Sequence, residues 1–425
     1  MRCVTAFDTS EAWAREQDAF DPLHDYRGRF CIPTTTSGDE AIYFCGNSLG
    51  LMPRRAVEIV QRELDAWGSM GVDAHFKEDG PWFAYHELVR EPLARLVGAA
   101  PHEVVAMNTL TTNLHLMMVS FYRPERERFK ILMEPTAFPS DTYAMQTQLA
   151  WHGYDPQQGI VVPQAGEGQR AVDDKDIEAL LDERGEEIAV VLLGGVNYYS
   201  GRRYDIARLA AVARSKGAVF GLDLAHAAGN VPLALHDWGV DFAVWCSYKY
   251  LNGGPGAVAG CFVHEKHARN QQLPRFGGWW GNDPKLRLRM HLETTFVPVP
   301  SADAWQLSNP SVLGLAPLRA ALDLVDEVGM DALRAKSERL TAYLEAWLDH
   351  AARGVEILTP RDAQARGAQL SLFVQEDSER MFAQLKNAGL VADYRQPDVI
   401  RLAPVPLYNS FHDVWRLGRA FEQLS

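Results

Sequence analysis

Short apolar runs alternate with helical patterns through the middle of the chain. Five of these runs have the β-branched and aromatic content of buried strands, at residues 129–133, 188–194, 218–223, 242–246 and 258–263. The alternation favours a mostly parallel sheet covered by helices. Polar residues follow three of the strands, at Pro139-Ser140-Asp141, Asp223 and Ser247-Tyr248-Lys249. Because ligand sites in such sheets lie where strands end, we expect a functional site at these positions.

The pattern changes after Pro310. Two long helical patterns, at 313–328 and 330–352, precede strands near 368–374 and 399–402, with a helix between these strands and a last helix after Asn409-Ser410. This order is typical of a smaller α+β domain. The sequence therefore predicts an N-terminal segment (1–70), a large α/β domain (71–310) and a small C-terminal domain (311–425).

Composition narrows the function classes. The chain has 425 residues and a net charge of -13, with 55 acidic against 42 basic residues, and it has no run of basic residues. We therefore expect neither nucleic acid nor an anionic membrane as a partner. No secretory signal or membrane-length apolar run is evident, so we expect a soluble protein. Five scattered cysteines without a CxxC pair indicate reduced thiols, which favours the cytoplasm; they are Cys3, Cys31, Cys45, Cys246 and Cys261.

The chemistry concentrates in residues 221–260. Lys249 follows a strand and has apolar neighbours such as Trp245 and Tyr250, so partial desolvation suits it to form a Schiff base, although a lysine in this setting, taken alone, is more often a snorkelling lysine. Asp223 closes a buried strand, which is costly unless a cation or a hydrogen-bond donor meets it. The protonated ring nitrogen of pyridoxal phosphate (PLP) would meet that need, and so would the start of a helix.

A group of possible metal ligands follows the last of the five strands. His264, Glu265 and His267 are close in sequence, but their spacing does not suggest a third ligand. A solvated helix start is the better interpretation, and we expect no metal.

Three motifs together resemble a known superfamily. The pattern D-x-A-H-x-x-G at 223–229, S-x-K at 247–249 and G-G-P-G at 253–256 is similar to fold-type I PLP enzymes of the aspartate aminotransferase superfamily. Further segments narrow the resemblance to the kynureninases, among them YFCGNSLGLMP, AFPSDTYAMQTQL, FGGWWGND, WQLSNPS and VIRLAPVPLYNSFHDV. The resemblance implies a large domain with a mostly parallel seven-stranded sheet and a smaller α+β domain.

The resemblance also implies an activity. Kynureninases use PLP to hydrolyse L-kynurenine or 3-hydroxy-L-kynurenine to anthranilate or 3-hydroxyanthranilate and L-alanine, in tryptophan catabolism and towards NAD synthesis. The implied assembly is a cytoplasmic homodimer with shared active sites, in which the N-terminal segment packs with the small domain and the partner.

Roles for individual residues follow from the same resemblance. Lys249 would hold PLP, Asp223 would meet the ring nitrogen, and Tyr248 would reach the phosphate and assist proton transfer. His226 would contact the cofactor, although taken alone it is more often structural. The remaining cofactor contacts implied are Leu110, Thr111, Phe138, Pro139, Ser140, Asp141, Trp279 and Asn309, the last two from elsewhere in the dimer.

Two of these contacts have a physical reason of their own. A threonine-rich opening at Leu110-Thr111 precedes a helical pattern at 113–122, and the start of such a helix offers amides to the phosphate, unless Thr109, Thr111 or Thr112 simply caps it. Phe138 suits stacking on the pyridine ring, whereas Pro139-Ser140-Asp141 could be only a helix start.

Substrate contacts are implied at Arg401, His75 and Asn309. Arg401 would clamp the α-carboxylate with its two-pronged guanidinium, and a buried ion pair is the alternative. His75 would lie beside the aromatic ring; otherwise it is an ordinary loop histidine. The chain departs from many kynureninases at Gly194, where they have serine, which leaves one hydrogen bond in question.

Two rival functions share part of this pattern. A cysteine desulfurase or aminotransferase would also use Asp223, His226 and Lys249, but a desulfurase needs a cysteine in a mobile loop. A PLP-binding regulator that has lost catalysis would usually carry an added domain, and none is evident.

Overall fold

The computed structural model describes residues 7–166 and 171–424, and Cys3 lies outside these ranges. The strands within them are β1 (Ile42–Tyr43), β2 (Val104–Ala106), β3 (Lys130–Met133), β4 (Ile160–Val161), β5 (Ile188–Gly194), β6 (Val219–Asp223), β7 (Phe242–Trp245), β8 (Gly260–Val263), β9 (Val355–Ile357), β10 (Leu370–Val374), β11 (Leu390–Val391), β12 (Asp393–Arg395) and β13 (Val399–Leu402).

The α-helices in the same ranges are α1 (Glu11–Ala19), α2 (Arg55–Met70), α3 (Arg90–Val97), α4 (Leu110–Phe121), α5 (Pro139–Trp151), α6 (Pro156–Gly159), α7 (Asp174–Arg184), α8 (Ile206–Ser215), α9 (Leu235–Trp238), α10 (Glu265–Ala268), α11 (Pro284–Arg287), α12 (Val312–Val328), α13 (Met330–Ala351), α14 (Ser378–Asn387) and α15 (Phe411–Leu424).

A seven-stranded sheet forms the centre of the large unit. Its strand order is β2-β8-β7-β6-β5-β3-β4. The pairs from β7 to β4 are parallel, and β8 runs antiparallel to both of its neighbours. The central strands are buried on both faces, as their nearly continuous apolar sequences require. The expected fold-type I architecture, with a mostly parallel seven-stranded sheet, is confirmed.

A four-stranded antiparallel sheet in the order β12-β13-β10-β9 forms the second unit, with α13, α14 and α15 beside it. The N-terminal segment joins this unit, because β1 pairs with β11 and the carboxylate of Asp18 in α1 accepts hydrogen bonds from the first amides of α15. The packing of residues 1–70 with the small domain and a dimer partner stays a prediction, as do the domain boundaries at 70 and 310.

The helices found in the described ranges include none with the combined length and apolarity needed to cross a bilayer. The thiols of the described cysteines, Cys31, Cys45, Cys246 and Cys261, are free.

Candidate active site

The ends of three adjacent parallel strands form the floor of a cavity. Glu134 follows β3 directly, Gly194 ends β5 and Asp223 ends β6, and the last two are paired in register. Because parallel strands end at the same edge of a sheet, residues about ninety positions apart in sequence come together here. The cavity is lined by Leu110, Thr111, Glu134, Phe138, Asp141, Gly194, Val196, Tyr198, Asp223, Ala225, His226, Tyr248 and Lys249. Most of the residues predicted to contact a cofactor are among them.

Lys249 reaches into this cavity from the segment after β7. Its Nζ lies 3.0 Å from Nε2 of His226. It also lies 5.8 Å from the ring centroid of Phe138 and 5.9 Å from that of Tyr248. Burial lowers the pKa of His226 well below its usual range, and the positive charge of Lys249 lowers it further. A neutral His226 can therefore accept a proton or a hydrogen bond from the amine.

Three carboxyl groups lie together at the strand ends. Burial raises the pKa of Asp141 well above its ordinary range, and its hydrogen bond to Asp223 and the negative charge there raise it further. Burial likewise raises the pKa of Glu134 to about 8. Oxygen atoms of Glu134 and Asp141 are buried without a hydrogen-bond partner in the described chain. Asp223 also accepts a hydrogen bond from the backbone NH of Ala225 at 2.7 Å, but the residues after it form a turn rather than a helix.

The N-termini of two helices, α4 and α5, face the same cavity. Thr109 is the N-cap residue of α4, yet its side chain accepts no capping hydrogen bond within the described chain. Phe138, the N-cap residue of α5, likewise offers no side-chain cap in that part of the chain. The hydroxyls of Thr111 and Ser140, one from each helix, lie 3.1 Å apart. Uncapped amides next to two hydroxyls can bind an anion such as a phosphate.

Arg401 lies behind the cavity wall in the small sheet. Its guanidinium stands 5.6 Å from the ring centroid of Tyr198, a lining residue, and donates to the Tyr198 carbonyl at 2.6 Å. It also forms an ion pair with Asp393 at 2.8 Å and is 1% exposed. The ion pair considered from sequence is therefore present, at a site adjacent to the cavity.

Besides Arg401, five predicted residues do not line the cavity within this chain: Pro139 and Ser140 at the start of α5, and His75, Trp279 and Asn309. The Nδ1 of His75 lies 3.0 Å from the carbonyl of Val72. Trp279 packs edge-on against Trp280, with ring centroids 4.7 Å apart. Asn309 is exposed. The prediction for Trp279 and Asn309 involved a dimer partner.

Sequence reasoning missed Glu134 and Tyr198. Glu134 had a usable signal, since it follows a buried strand directly, as Asp223 does. Tyr198 offered none, because its place depends on Arg401, which is about two hundred positions away and belongs to the other sheet.

The histidine cluster near β8 has neighbours that local spacing could not reveal. The buried carboxylate of Glu103 lies 3.0 Å from Nδ1 of His236 and 3.7 Å from Nδ1 of His264. It also accepts from the backbone NH of Glu265 at 2.7 Å. The carboxylate is therefore satisfied by hydrogen bonds from the protein.

Comparisons of sequence show the family. The chain is 52% identical over 417 residues to a kynureninase of Myxococcus xanthus, covering 98% of this chain and 97% of the relative. The chain belongs to the kynureninase family. A kynureninase of Koribacter versatilis is 50% identical over 420 residues, covering 98% of each chain. The family model for the kynureninase C-terminal domain matches residues 333–421.

Solved structures share the fold of this kynureninase family member. A cysteine desulfurase from Thermococcus onnurineus matches with a TM-score of 0.74 at 19% identity, covering 94% of this chain and 97% of that one. A cysteine desulfurase from Escherichia coli matches with a TM-score of 0.76 at 19% identity, covering 94% and 98%. A variant of the lyase C-DES with glycine covalently linked to its PLP cofactor gives 0.74 at 18% identity, covering 90% and 96%. At these identities the likeness shows the fold alone.

Proposed function

We propose that the chain catalyses PLP-dependent hydrolysis of L-kynurenine, 3-hydroxy-L-kynurenine or both, releasing anthranilate or 3-hydroxyanthranilate and L-alanine. The observation that carries the proposal is the cavity in which Lys249, His226 and Asp223 meet two uncapped helix N-termini, in a chain about half identical to named kynureninases. The reaction would serve tryptophan catabolism, upstream of NAD synthesis.

The residues present fit PLP. Lys249 would bind its aldehyde carbon, Asp223 would face the ring nitrogen, and the start of α4 at Leu110-Thr111 would hold the phosphate. Buried polar atoms without a partner in the described chain, on His226 and Asp141, are what such a polar ligand would satisfy. When bound, PLP supplies an electron sink for negative charge formed on the substrate.

The protein's own share is to place groups and protons. Lys249 would remove a proton from the substrate's α-carbon through its Nζ once that amine is free, and the neutral His226 at 3.0 Å would help to hold the amine in place. Tyr248 would donate towards the phosphate, because burial raises its pKa and keeps the hydroxyl protonated. Arg401 would bind the substrate's α-carboxylate.

Three of the cysteines argue against the desulfurase rival. Burial raises the thiol pKa of Cys246 and Cys261, and raises that of Cys45 to about 11. A desulfurase needs a reactive thiolate, which burial disfavours. A regulator without catalysis has less support, because the cavity brings together an amine, a neutral imidazole and carboxyl groups.

We also propose a cytoplasmic homodimer with shared active sites. Trp279, Asn309 and His75 lie away from the cavity of their own chain, as expected if they serve the partner's cavity. Apolar side chains on α2 are exposed, with Trp67 at 61% and Val57 at 58%. Exposed apolar surface of this kind is typical of subunit interfaces. Sedimentation would test the dimer. Mixing Lys249→Ala chains with Asn309→Ala chains would test the sharing, because a mixed dimer with shared sites has one cavity in which both residues are native, and its activity would exceed that of the two variants measured apart.

The central experiment is direct. Purified protein loaded with PLP is mixed separately with L-kynurenine and 3-hydroxy-L-kynurenine, and the products are separated and identified. We expect the matching anthranilate and L-alanine in equal amounts. Release of sulfide or sulfur transfer from L-cysteine without cleavage of either kynurenine would favour the desulfurase instead.

A further inference from the structure

Asp393 holds the guanidinium of Arg401 by two points. The residues are register partners on β12 and β13. Nη2 of Arg401 lies 2.8 Å from one carboxylate oxygen, and Nε donates to the other at 3.1 Å. The side chains are 1% exposed for Arg401 and 11% for Asp393. Such a two-point contact fixes the plane of a guanidinium as well as its position.

One carboxylate serves two guanidinium groups here. Arg395, two residues along β12, also contacts Asp393, with Nε at 2.8 Å from the carboxylate. The cluster of Asp393, Arg395 and Arg401 therefore carries one net positive charge. This charge acts on a residue that lines the cavity. Burial and the charge of Lys249 are the two largest causes that lower the pKa of His226, and the charges of Arg401 and Arg395 lower it further. A single carboxylate on a ligand would neutralise the cluster.

The donors of Arg401 are only partly used. A guanidinium has five N–H groups. Asp393 accepts the one on Nε, and the carbonyl of Tyr198 accepts one on Nη1, whereas Nη2 contacts the other Asp393 oxygen as an ion pair at 2.8 Å. At least one N–H therefore remains on each terminal nitrogen, and a bidentate carboxylate uses one from each.

We propose that Asp393 is a positioning residue that orients Arg401 to bind the α-carboxylate of the substrate. The inference rests on the proposed function, because it takes the ligand to be an α-amino acid. Without Asp393 the buried guanidinium would lose its fixing contact and its charge partner, and would turn towards other acceptors. If Asp393 instead competed with the substrate for Arg401, Asp393→Asn would bind L-alanine more tightly than the wild type in the test below.

The test compares Asp393→Asn, Asp393→Glu and a control in the PLP-loaded enzyme. Asp398→Asn is a matched control, because Asp398 lies on the same hairpin and forms no ion pair with Arg401 in the described chain. The dissociation constant of L-alanine is read from the absorbance of the bound cofactor, and KM and kcat are measured with L-kynurenine. We expect Asp393→Asn to raise the dissociation constant and KM between about ten- and a hundredfold, with a smaller change in kcat. Asp393→Glu, which keeps the charge, should show a smaller rise, and Asp398→Asn none.

A ligand without the carboxylate separates positioning from general structure. The amine that corresponds to decarboxylated kynurenine should bind the wild type and Asp393→Asn equally well. An equal loss for this amine and for L-alanine, or tighter or unchanged binding of L-alanine, would overturn the proposal. If Asp393→Asn does not fold, Asp393→Glu decides by the same comparison of the two ligands. If the wild type binds L-alanine but does not cleave kynurenine, the proposed function is contradicted, whereas the effect of Asp393→Asn on L-alanine binding still tests the positioning role.

Discussion

Gly194 and Glu134 are in direct contact at adjacent strand ends. The backbone NH of Gly194 donates to a carboxyl oxygen of Glu134 at 3.3 Å. A Cβ atom at position 194 would lie 2.7 Å from that oxygen and 3.2 Å from the carbonyl of Val196. The glycine therefore makes room for the Glu134 carboxyl in the cavity floor.

We expect Gly194→Ser to push the Glu134 carboxyl out of its place. Overpacking of this kind costs about 1–3 kcal/mol of stability. Chemical denaturation gives the free energy of unfolding, and titration with PLP gives cofactor affinity, which should also fall. Gly28→Ser is the matched control, since a Cβ there meets nothing within 4 Å. Equal stability and PLP affinity in Gly194→Ser and the wild type would show that Glu134 moves freely.

Glu134 should make stability depend on pH. Burial, with the nearby Asp223 carboxyl, raises its pKa to about 8. Between the ordinary glutamate range and that value, the folded protein holds a proton that the unfolded chain has released, so stability falls as pH rises through this window. Glu134→Gln cannot ionise, so its free energy of unfolding should fall less than that of the wild type between about pH 5 and about pH 9. Glu183→Gln, at an exposed position, should follow the wild type. Parallel curves for all three proteins would mean that Glu134 titrates normally.

Lys249→Ala should abolish covalent attachment of PLP and turnover, because Lys249 supplies the amine at the cavity. Borohydride treatment of the wild type, followed by peptide mass analysis, should find the reduced pyridoxyl group on Lys249. Lys386→Ala, at an exposed helix position, should keep both properties. Recovery of the label on another lysine would refute the assignment.

Arg401→Ala should weaken substrate binding by roughly 2–4 kcal/mol, as expected when one partner of a hydrogen-bonded charge pair is removed. The absorbance of bound PLP should change little. Arg401→Lys keeps the charge without the two-pronged geometry, so its affinity for the substrate should lie between those of the wild type and Arg401→Ala. Arg419→Ala, an exposed arginine of α15, controls for loss of charge. Unchanged affinity for kynurenine in Arg401→Ala would assign the carboxylate to another residue.

Asn309 and His75 offer polar groups that we expect to favour 3-hydroxy-L-kynurenine. A net hydrogen bond of about 1 kcal/mol gives roughly fivefold preference for 3-hydroxy-L-kynurenine over L-kynurenine. Polar groups left without a partner by L-kynurenine could raise this preference to about a hundredfold or a thousandfold. Asn309→Thr should narrow the ratio of kcat/KM for the two substrates, and Asn387→Thr should not. Equal wild-type values, or a ratio unmoved by Asn309→Thr, would remove Asn309 from substrate choice.

Hydrophobic periodicity predicted the bounds of helices and strands well where burial determines which positions are apolar. The strand predicted at 399–402 is β13, and the helix predicted at 330–352 differs from α13 by one residue. The start of α4 was less accurate, because the helix begins at Leu110 whereas the sequence pattern indicated Asn113, and no side-chain cap marks the start.

Contacts between distant segments were beyond the sequence pattern. Arg401 was expected either in an ion pair or at a carboxylate, and Asp393 was not considered as its partner. The ion pair depends on the register of β12 with β13, and the contact with Tyr198 depends on how the two sheets meet. Neither register nor sheet contact leaves a local periodic signal.

The cavity floor also sets an order of events during folding. Glu134, Gly194 and Asp223 become neighbours only when β3, β5 and β6 have paired. The chain loses entropy in closing the long loops between these strands before the strand contacts stabilise it. A nascent chain in which β6 has not yet emerged would lack Asp223, and therefore part of the cavity floor. Cofactor capture is therefore a late step, which reports that the parallel sheet has already assembled.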